Sequence, residues 1–258
     1  MGELLFWPAL LAYAAAAVAY GVNAHRPGTA GRIGTWGVRV GWLVQTALLV
    51  VQAVRSDGFP WDTWAASLNL FVWLVVGAYL IWGCRPRYRL LGLGVMPLAV
   101  VLFAVARIGG GTRAAVHSDD GNLFLVLHVG FVLAAFAGFT LAAALAGLYL
   151  WEERRLKRRA ADILRLRLPP LATLERLTVR TITVSLPLLT LGLGAGLVRL
   201  RHDHHSLDAL EAVTLLTWGV YGAFLAMHPV GRRAAYLALG GFALVIVARL
   251  VLAGSHFA

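Results

Sequence analysis

The chain has 258 residues, 60% of them hydrophobic and 14% charged, with a formal net charge of +11 and a mean hydropathy of +0.76. Soluble domains average about 45–50% apolar and about 25% charged residues, so this composition excludes a soluble globular enzyme, and its hydrophobicity excludes a disordered chain. The one cysteine, Cys84, excludes a disulfide framework, a Cys-x-x-Cys redox pair and a four-cysteine metal site.

A membrane crossing takes about 20 apolar residues at a rise of about 1.5 Å each. Eight stretches qualify in chain order: Leu4–Ala24, Thr35–Val54, Trp64–Cys84, Leu90–Ala106, Leu123–Trp151, Thr181–Val198, Asp208–His228 and Ala234–Ala253. The fourth is the shortest and holds Pro97, and the fifth is long enough to project beyond a bilayer. None alternates with period two, so helices rather than strands are expected. Glu3 precedes the first span where a cleaved leader carries a basic cluster. The expected fold is all-α: a polytopic membrane protein with a bundle of eight transmembrane helices in a single domain over 1–258.

Lys and Arg concentrate in the odd-numbered loops, above all in the 152–180 stretch with Arg154, Arg155, Lys157, Arg158 and Arg159. Basic loops stay cytoplasmic, so both termini are expected on the outer face. The positive charge is then a topology signal with an attraction to anionic lipid. No basic stripe interleaves with aromatics, which argues against a nucleic-acid partner. Trp7, Trp61 and Trp64 fall at outer span edges and Trp36, Trp82 and Trp151 at inner ones, as an aromatic belt requires.

Polar groups inside a bilayer are costly and need a reason. His128 lies about 8 Å into the fifth span at helical rise. His256 follows the eighth span, and the charge-derived topology puts both on the outer face. Two imidazoles from different helices at one depth can clamp a haem iron axially; packing and a terminal tail are the plainer alternatives. Thr214, Thr217, Tyr221 and His228 fall within about 60° on a helical wheel and form a polar stripe. Gln45 and Gln52, seven apart, form another of the kind that ties helices together. Arg249, on the face of His256, can pair with a carboxylate such as a haem propionate, pair with Glu211, or snorkel outward. His202, His204 and His205 form an outer cluster that either binds a metal ion or is a solvated loop. His25 and His117 are lone loop residues. Serine-hydrolase, phosphate-loop and zinc-protease signatures are absent from the sequence.

Several ordered segments are similar to one family. Gly58-Phe59-Pro60-Trp61-Asp62-Thr63-Trp64, continuing through Ser67-Leu68-Asn69 to Trp73, resembles the Gly-x-Phe-Pro…Glu-Ser-Leu-x-Phe-x-x-Trp segment of the cytochrome c assembly proteins. Gly92-Leu93-Gly94-Val95-Met96-Pro97 resembles the next span of that family. Leu171-Ala172-Thr173-Leu174-Glu175-Arg176-Leu177 and Thr217-Trp218-Gly219-Val220-Tyr221 with His228 follow in the same order. The helix that begins near His128 and ends in Trp151-Glu152-Glu153-Arg154-Arg155 resembles the HemX-like branch. The resemblance runs from about residue 40 to the C-terminus. It implies that His128 and His256 are axial ligands of an externally held haem and that His228 binds haem within the membrane. The Trp-rich outer segment of the full-length CcsA/ResC-like members is replaced here by His202-Asp203-His204-His205-Ser206. That departure points to a haem-handling factor of the reduced HemX-like branch rather than a complete cytochrome c synthase.

The resulting expectation is a multi-pass protein of a bacterial-type inner (plasma) membrane that binds haem b and traffics or presents it for c-type cytochrome assembly. The site comprises His128 and His256 as ligands, His228 and Tyr221 on the seventh span, Arg249 at a propionate, and Trp61 and Trp64 as cover. Its partners are the lipid bilayer, haem, and either other assembly subunits or a haem-synthesis enzyme at loop 152–180. The alternative is a HemX-like regulator of haem-biosynthesis enzymes that carries no haem itself. A weaker third reading is an outer-face metal transporter using His202, His204 and His205.

Overall fold

A computed structural model describes residues 2–25, 28–56, 60–61, 63–83, 91–113, 123–158, 170–203 and 209–255. Among them eight α-helices follow in chain order: α1 (Gly2–His25), α2 (Thr29–Arg55), α3 (Trp64–Gly83), α4 (Gly92–Ile108), α5 (Leu123–Lys157), α6 (Leu171–Asp203), α7 (Ala209–Met227) and α8 (Arg232–Ser255). Five of them are long and apolar enough to cross a membrane, and Gly92–Ile108 and Ala212–Met227 are shorter apolar helices. The chain is an all-helical, polytopic membrane protein. In lipid every backbone N–H and C=O must be satisfied within its own segment, which a helix does.

Two helices start well before their apolar spans. α6 begins at Leu171, ten residues ahead of Thr181, and α2 at Thr29, ahead of Thr35. Hydropathy marks where the chain is apolar, whereas backbone hydrogen bonding carries a helix on through charged turns such as Glu175-Arg176 and Arg180. Within α6 the hydroxyls of Thr178, Thr181, Thr183, Ser185 and Thr190 each donate to the carbonyl four residues back, at 2.8–2.9 Å. The helix thereby satisfies its own polar side chains.

The chain divides into two compact units, the first built from α1–α4 and the second from α5–α8. In the first unit α1 and α2 approach through glycines on one face of α2. A Cβ at Gly34 would stand 2.8 Å from the Tyr20 ring, one at Gly41 2.7 Å from the Tyr13 ring, and one at Gly37 3.1 Å from the Ala12 carbonyl oxygen. Membrane helices lack a hydrophobic drive toward each other, and close backbone approach through small residues gives them van der Waals contact instead. Phe6 meets Phe103 at 4.8 Å and ties α1 to α4. Trp42 and Trp73 stack at 5.1 Å and 14° and tie α2 to α3. Three hydrogen bonds close around this stack. The Trp42 indole donates to the Trp73 carbonyl at 3.1 Å, the Trp73 indole to the Thr46 hydroxyl at 2.7 Å, and that hydroxyl to the Trp42 carbonyl at 2.7 Å.

In the second unit α5 is the central helix: 67% of its most apolar window is buried, against 28% for α6. The two pack antiparallel with glycines as notches. Gly138 of α5 lies against Ser185 of α6, Gly192 of α6 against Val132, and Gly196 against His128. Tyr221 of α7 stacks on Phe139 of α5 at 3.9 Å, with ring planes 1° apart, and its hydroxyl donates to the Ala238 carbonyl of α8 at 3.3 Å. The other end of the unit is held by charge. Glu153 of α5 pairs with Arg232 at 3.0 Å and Lys157 at 2.8 Å. Glu175 of α6 accepts the Gly231 N–H at 2.7 Å, in the turn before α8. Gly231 has φ +64 there, a left-handed backbone that suits glycine.

Candidate functional site

His128 sits in the second turn of α5, half-buried against α6. Its Nδ1 is 2.7 Å from the Gly192 carbonyl oxygen. A carbonyl only accepts, so Nδ1 carries the proton, and in the neutral ring the lone pair then belongs to Nε2. Among the described residues Nε2 has no hydrogen-bond partner. An imidazole with one nitrogen donating to a backbone carbonyl and the other unengaged is the usual state of a metal-ligating histidine.

The polar stripe of α7 faces protein along most of its length. Thr217 and Tyr221 are fully buried and Thr214 nearly so. The Thr217 hydroxyl donates to the Val213 carbonyl at 2.8 Å. Trp218, on another face, is exposed and donates to the Thr190 hydroxyl of α6 at 2.9 Å. His228 leaves the stripe because α7 ends at Met227. It is exposed, has φ +46, and its Nδ1 is 3.0 Å from the Ala226 carbonyl. It borders an open groove of about 750 Å³ with Arg176, Arg180 and Phe224. His128 contacts α6 at Gly192–Gly196 and His228 lies near Arg176–Arg180, so about 24 Å of helix separates their levels. Among the described side chains of the second unit, His128 and His228 therefore lie at different levels and do not form one joint site.

The remaining sequence candidates are placed only in part. Arg249 lies in α8, but its side chain is outside the description, and His256 lies outside the described residues, directly after the last residue of α8. His202 lies in the last turn of α6 with its side chain outside the description, and His204 and His205 fall outside the described residues. Among the described residues no group of three or more His, Cys, Asp and Glu could hold a metal ion. Trp61 and Trp64 belong to the first unit. The Trp61 carbonyl accepts the Ser67 hydroxyl at 2.7 Å. Trp64 opens α3, is 55% exposed, and its ring lies where a Cβ on Gly109 would come within 2.5 Å.

The sequence reading did not single out Asn69, the centre of a buried network in the first unit. Tyr13 donates to Gln45 Oε1 at 2.7 Å, and Gln45 Nε2 donates to Asn69 Oδ1 at 2.9 Å. Asn69 Nδ2 donates to Gln52 Oε1 at 2.9 Å and to the Gly111 carbonyl at 3.2 Å. Gln52 Nε2 donates to the carbonyls of Gly111 and Arg113, each at 2.9 Å. Three helices and the turn after α4 are joined by amides that satisfy one another. Asn69→Leu removes the donor to Gln52 Oε1 and is expected to lower stability by about 1–3 kcal/mol, measured by thermal unfolding in detergent. An unchanged midpoint would mean that the network contributes nothing to stability.

A multi-pass helical membrane protein with a carbonyl-oriented histidine on the central helix of its second unit is the class these features define. The family model described as Cytochrome C assembly protein matches residues 61–255, and the chain belongs to that family. It is 28% identical over 232 residues to the cytochrome c biogenesis protein CcsA of Guillardia theta, covering 80% of this chain and 77% of that protein. It is 27% identical over 188 residues to the protein HemX of Brevibacillus brevis, covering 71% and 69%. The CcsA of Microcystis aeruginosa is 26% identical over 273 residues, covering 84% and 83%. No solved structure matches the chain.

Proposed function

We propose that this protein binds haem b through His128 and traffics or presents it during c-type cytochrome assembly. The observation that carries the reading is the 2.7 Å bond from His128 Nδ1 to the Gly192 carbonyl, which leaves Nε2 as an oriented imidazole donor of the kind that holds haem iron. Membership of the cytochrome c assembly family and relatives named for cytochrome c biogenesis support it. In this reading His128 and His256 would hold the haem iron and Arg249 would hold a propionate. His228 serves haem within the membrane beside the Arg176–Arg180 groove, and Tyr221 holds α5, α7 and α8 together around it. The reading also places the protein in a bacterial-type inner (plasma) membrane, with both termini on the outer face and other assembly subunits as partners.

The test is the absorption spectrum of the detergent-purified full chain, loaded with haem, beside His128→Ala and His256→Ala. The wild type is expected to show a Soret band and sharp α and β bands on reduction, the mark of six-coordinate haem. Each variant loses the sharp bands and binds haem at least about tenfold more weakly. Variants that keep the wild-type spectrum overturn the ligand assignment. A wild type that stays colourless after loading overturns haem binding and favours the HemX-like regulator acting through loop 152–180.

A further inference from the structure

Gly192 and Gly196 do more than let two helices approach. We propose that together they are a positioning device for His128, fixing its tautomer and ring orientation from the neighbouring helix; this rests on the reading of His128 as a haem ligand. A helical Cα–Cβ bond tilts toward the N-terminus, so a side chain at one position covers the carbonyl one turn before it. The carbonyl of Gly192 would ordinarily be covered by the side chain at position 196. Glycine there leaves the carbonyl open from the side, and the His128 ring occupies the space. A Cβ at Gly196 would stand 2.6 Å from His128 Nδ1 and 2.8 Å from Cε1, closer than real Cβ contacts come. An alanine must therefore push the ring off its present seat and off the 2.7 Å bond to the Gly192 carbonyl.

The seat is held in register by a second contact. One turn along α5 from His128 is Val132, and one turn back along α6 from Gly196 is Gly192. A Cβ at Gly192 would lie 2.8 Å from Val132 Cγ2 and 3.1 Å from the Val132 nitrogen. The pairs 128/196 and 132/192 are successive steps of one antiparallel alignment, so the ring cannot slide along α6 without lifting Val132 out of its notch. Gly194, between the two glycines, has nothing within 4 Å of its Cβ position and plays no part in the contact. A bond from Nδ1–H to a carbonyl raises the basicity of Nε2 and restricts rotation of the ring. Partners of this kind typically contribute 10–100-fold to metal affinity.

The experiment compares the wild-type full chain with Gly196→Ala, Gly194→Ala and His128→Ala, using haem titration at the Soret band and the reduction midpoint of the loaded protein. Gly196→Ala is expected to weaken haem binding about tenfold or more and to raise the midpoint, because the imidazole loses its carbonyl acceptor. Gly194→Ala stays at wild-type values. If His128→Ala loses haem while Gly196→Ala keeps wild-type affinity and midpoint, the positioning role is wrong and the ligand reading stands. If His128→Ala itself binds haem normally, the ligand reading falls, whatever the glycine variants do. Should Gly196→Ala fail to fold, nitrogen-15 NMR of the wild-type apoprotein decides. A neutral His128 protonated at Nδ1 supports the device, and one protonated at Nε2 overturns it.

Discussion

Gly111→Ala is expected to cost about 3–6 kcal/mol, more than the loss of any one hydrogen bond in the first unit. The turn Gly109–Arg113 lies directly on the first turn of α3. A Cβ at Gly111 would fall onto the carbonyl group of Ala65 and the nitrogen of Ala66. Both are backbone, so no rotamer change relieves the clash, and the turn must lift. Overpacking of this kind costs about 1–3 kcal/mol by itself. Lifting the turn also takes the Gly111 carbonyl from Gln52 at 2.9 Å and from Asn69 at 3.2 Å, and the two lost bonds cost about 2–3 kcal/mol more together. Gly110 supplies the comparison. It has φ +82 and open space around its Cβ position, so Gly110→Ala meets only backbone strain of about 1–2 kcal/mol. Thermal unfolding of both variants in detergent should rank them clearly. A Gly111→Ala protein as stable as Gly110→Ala would mean that the turn is not seated on α3.

Tyr221→Ala is expected to destabilise the second unit by about 3–5 kcal/mol, the range for emptying a buried aromatic site. The ring is fully buried and stacked on Phe139, where α5, α7 and α8 meet. A stacked pair adds about 0.5–1.5 kcal/mol beyond the area it buries. Tyr221→Phe keeps the ring and loses only the 3.3 Å bond to the Ala238 carbonyl, worth less than about 1 kcal/mol in a membrane interior. Unfolding midpoints and haem content measured on both variants separate packing from ligand contact. Full stability with haem lost in Tyr221→Phe would show that the hydroxyl serves the ligand, contrary to this assignment.

The eight helices were legible because long runs of Leu, Val and Ala leave no other fold in a membrane. The first ten residues of α6 were not, since Glu175, Arg176 and Arg180 remove them from any hydropathy window although they continue the same helix. His128 was visible as a costly polar group in an apolar run. Its acceptor was not, because a backbone carbonyl 64 residues away carries no side-chain signature; the only trace was the spacing of Gly192 and Gly196. The stripe Thr214, Thr217 and Tyr221 followed from helical periodicity, and His228 departed from it because periodicity does not say where a helix stops. Gln45 and Gln52 were read as a stripe that ties helices together, but Asn69 was not linked to them. Periodicity orders residues within one helix and is silent on which residue of another helix meets them.

The alignment of α5 with α6 constrains the length of both helices at once. His128 with Gly196, Val132 with Gly192 and Gly138 with Ser185 are rungs of a single ladder. Removing one residue between His128 and Gly138 would rotate everything beyond it by about 100° and shift it by about 1.5 Å, so the rungs on the two sides of the deletion could no longer meet their partners together. A chain built this way tolerates insertions and deletions where its helices are joined and not along the faces where they interlock. Over the span of these contacts, α5 and α6 are gauged against each other like the two halves of a zip.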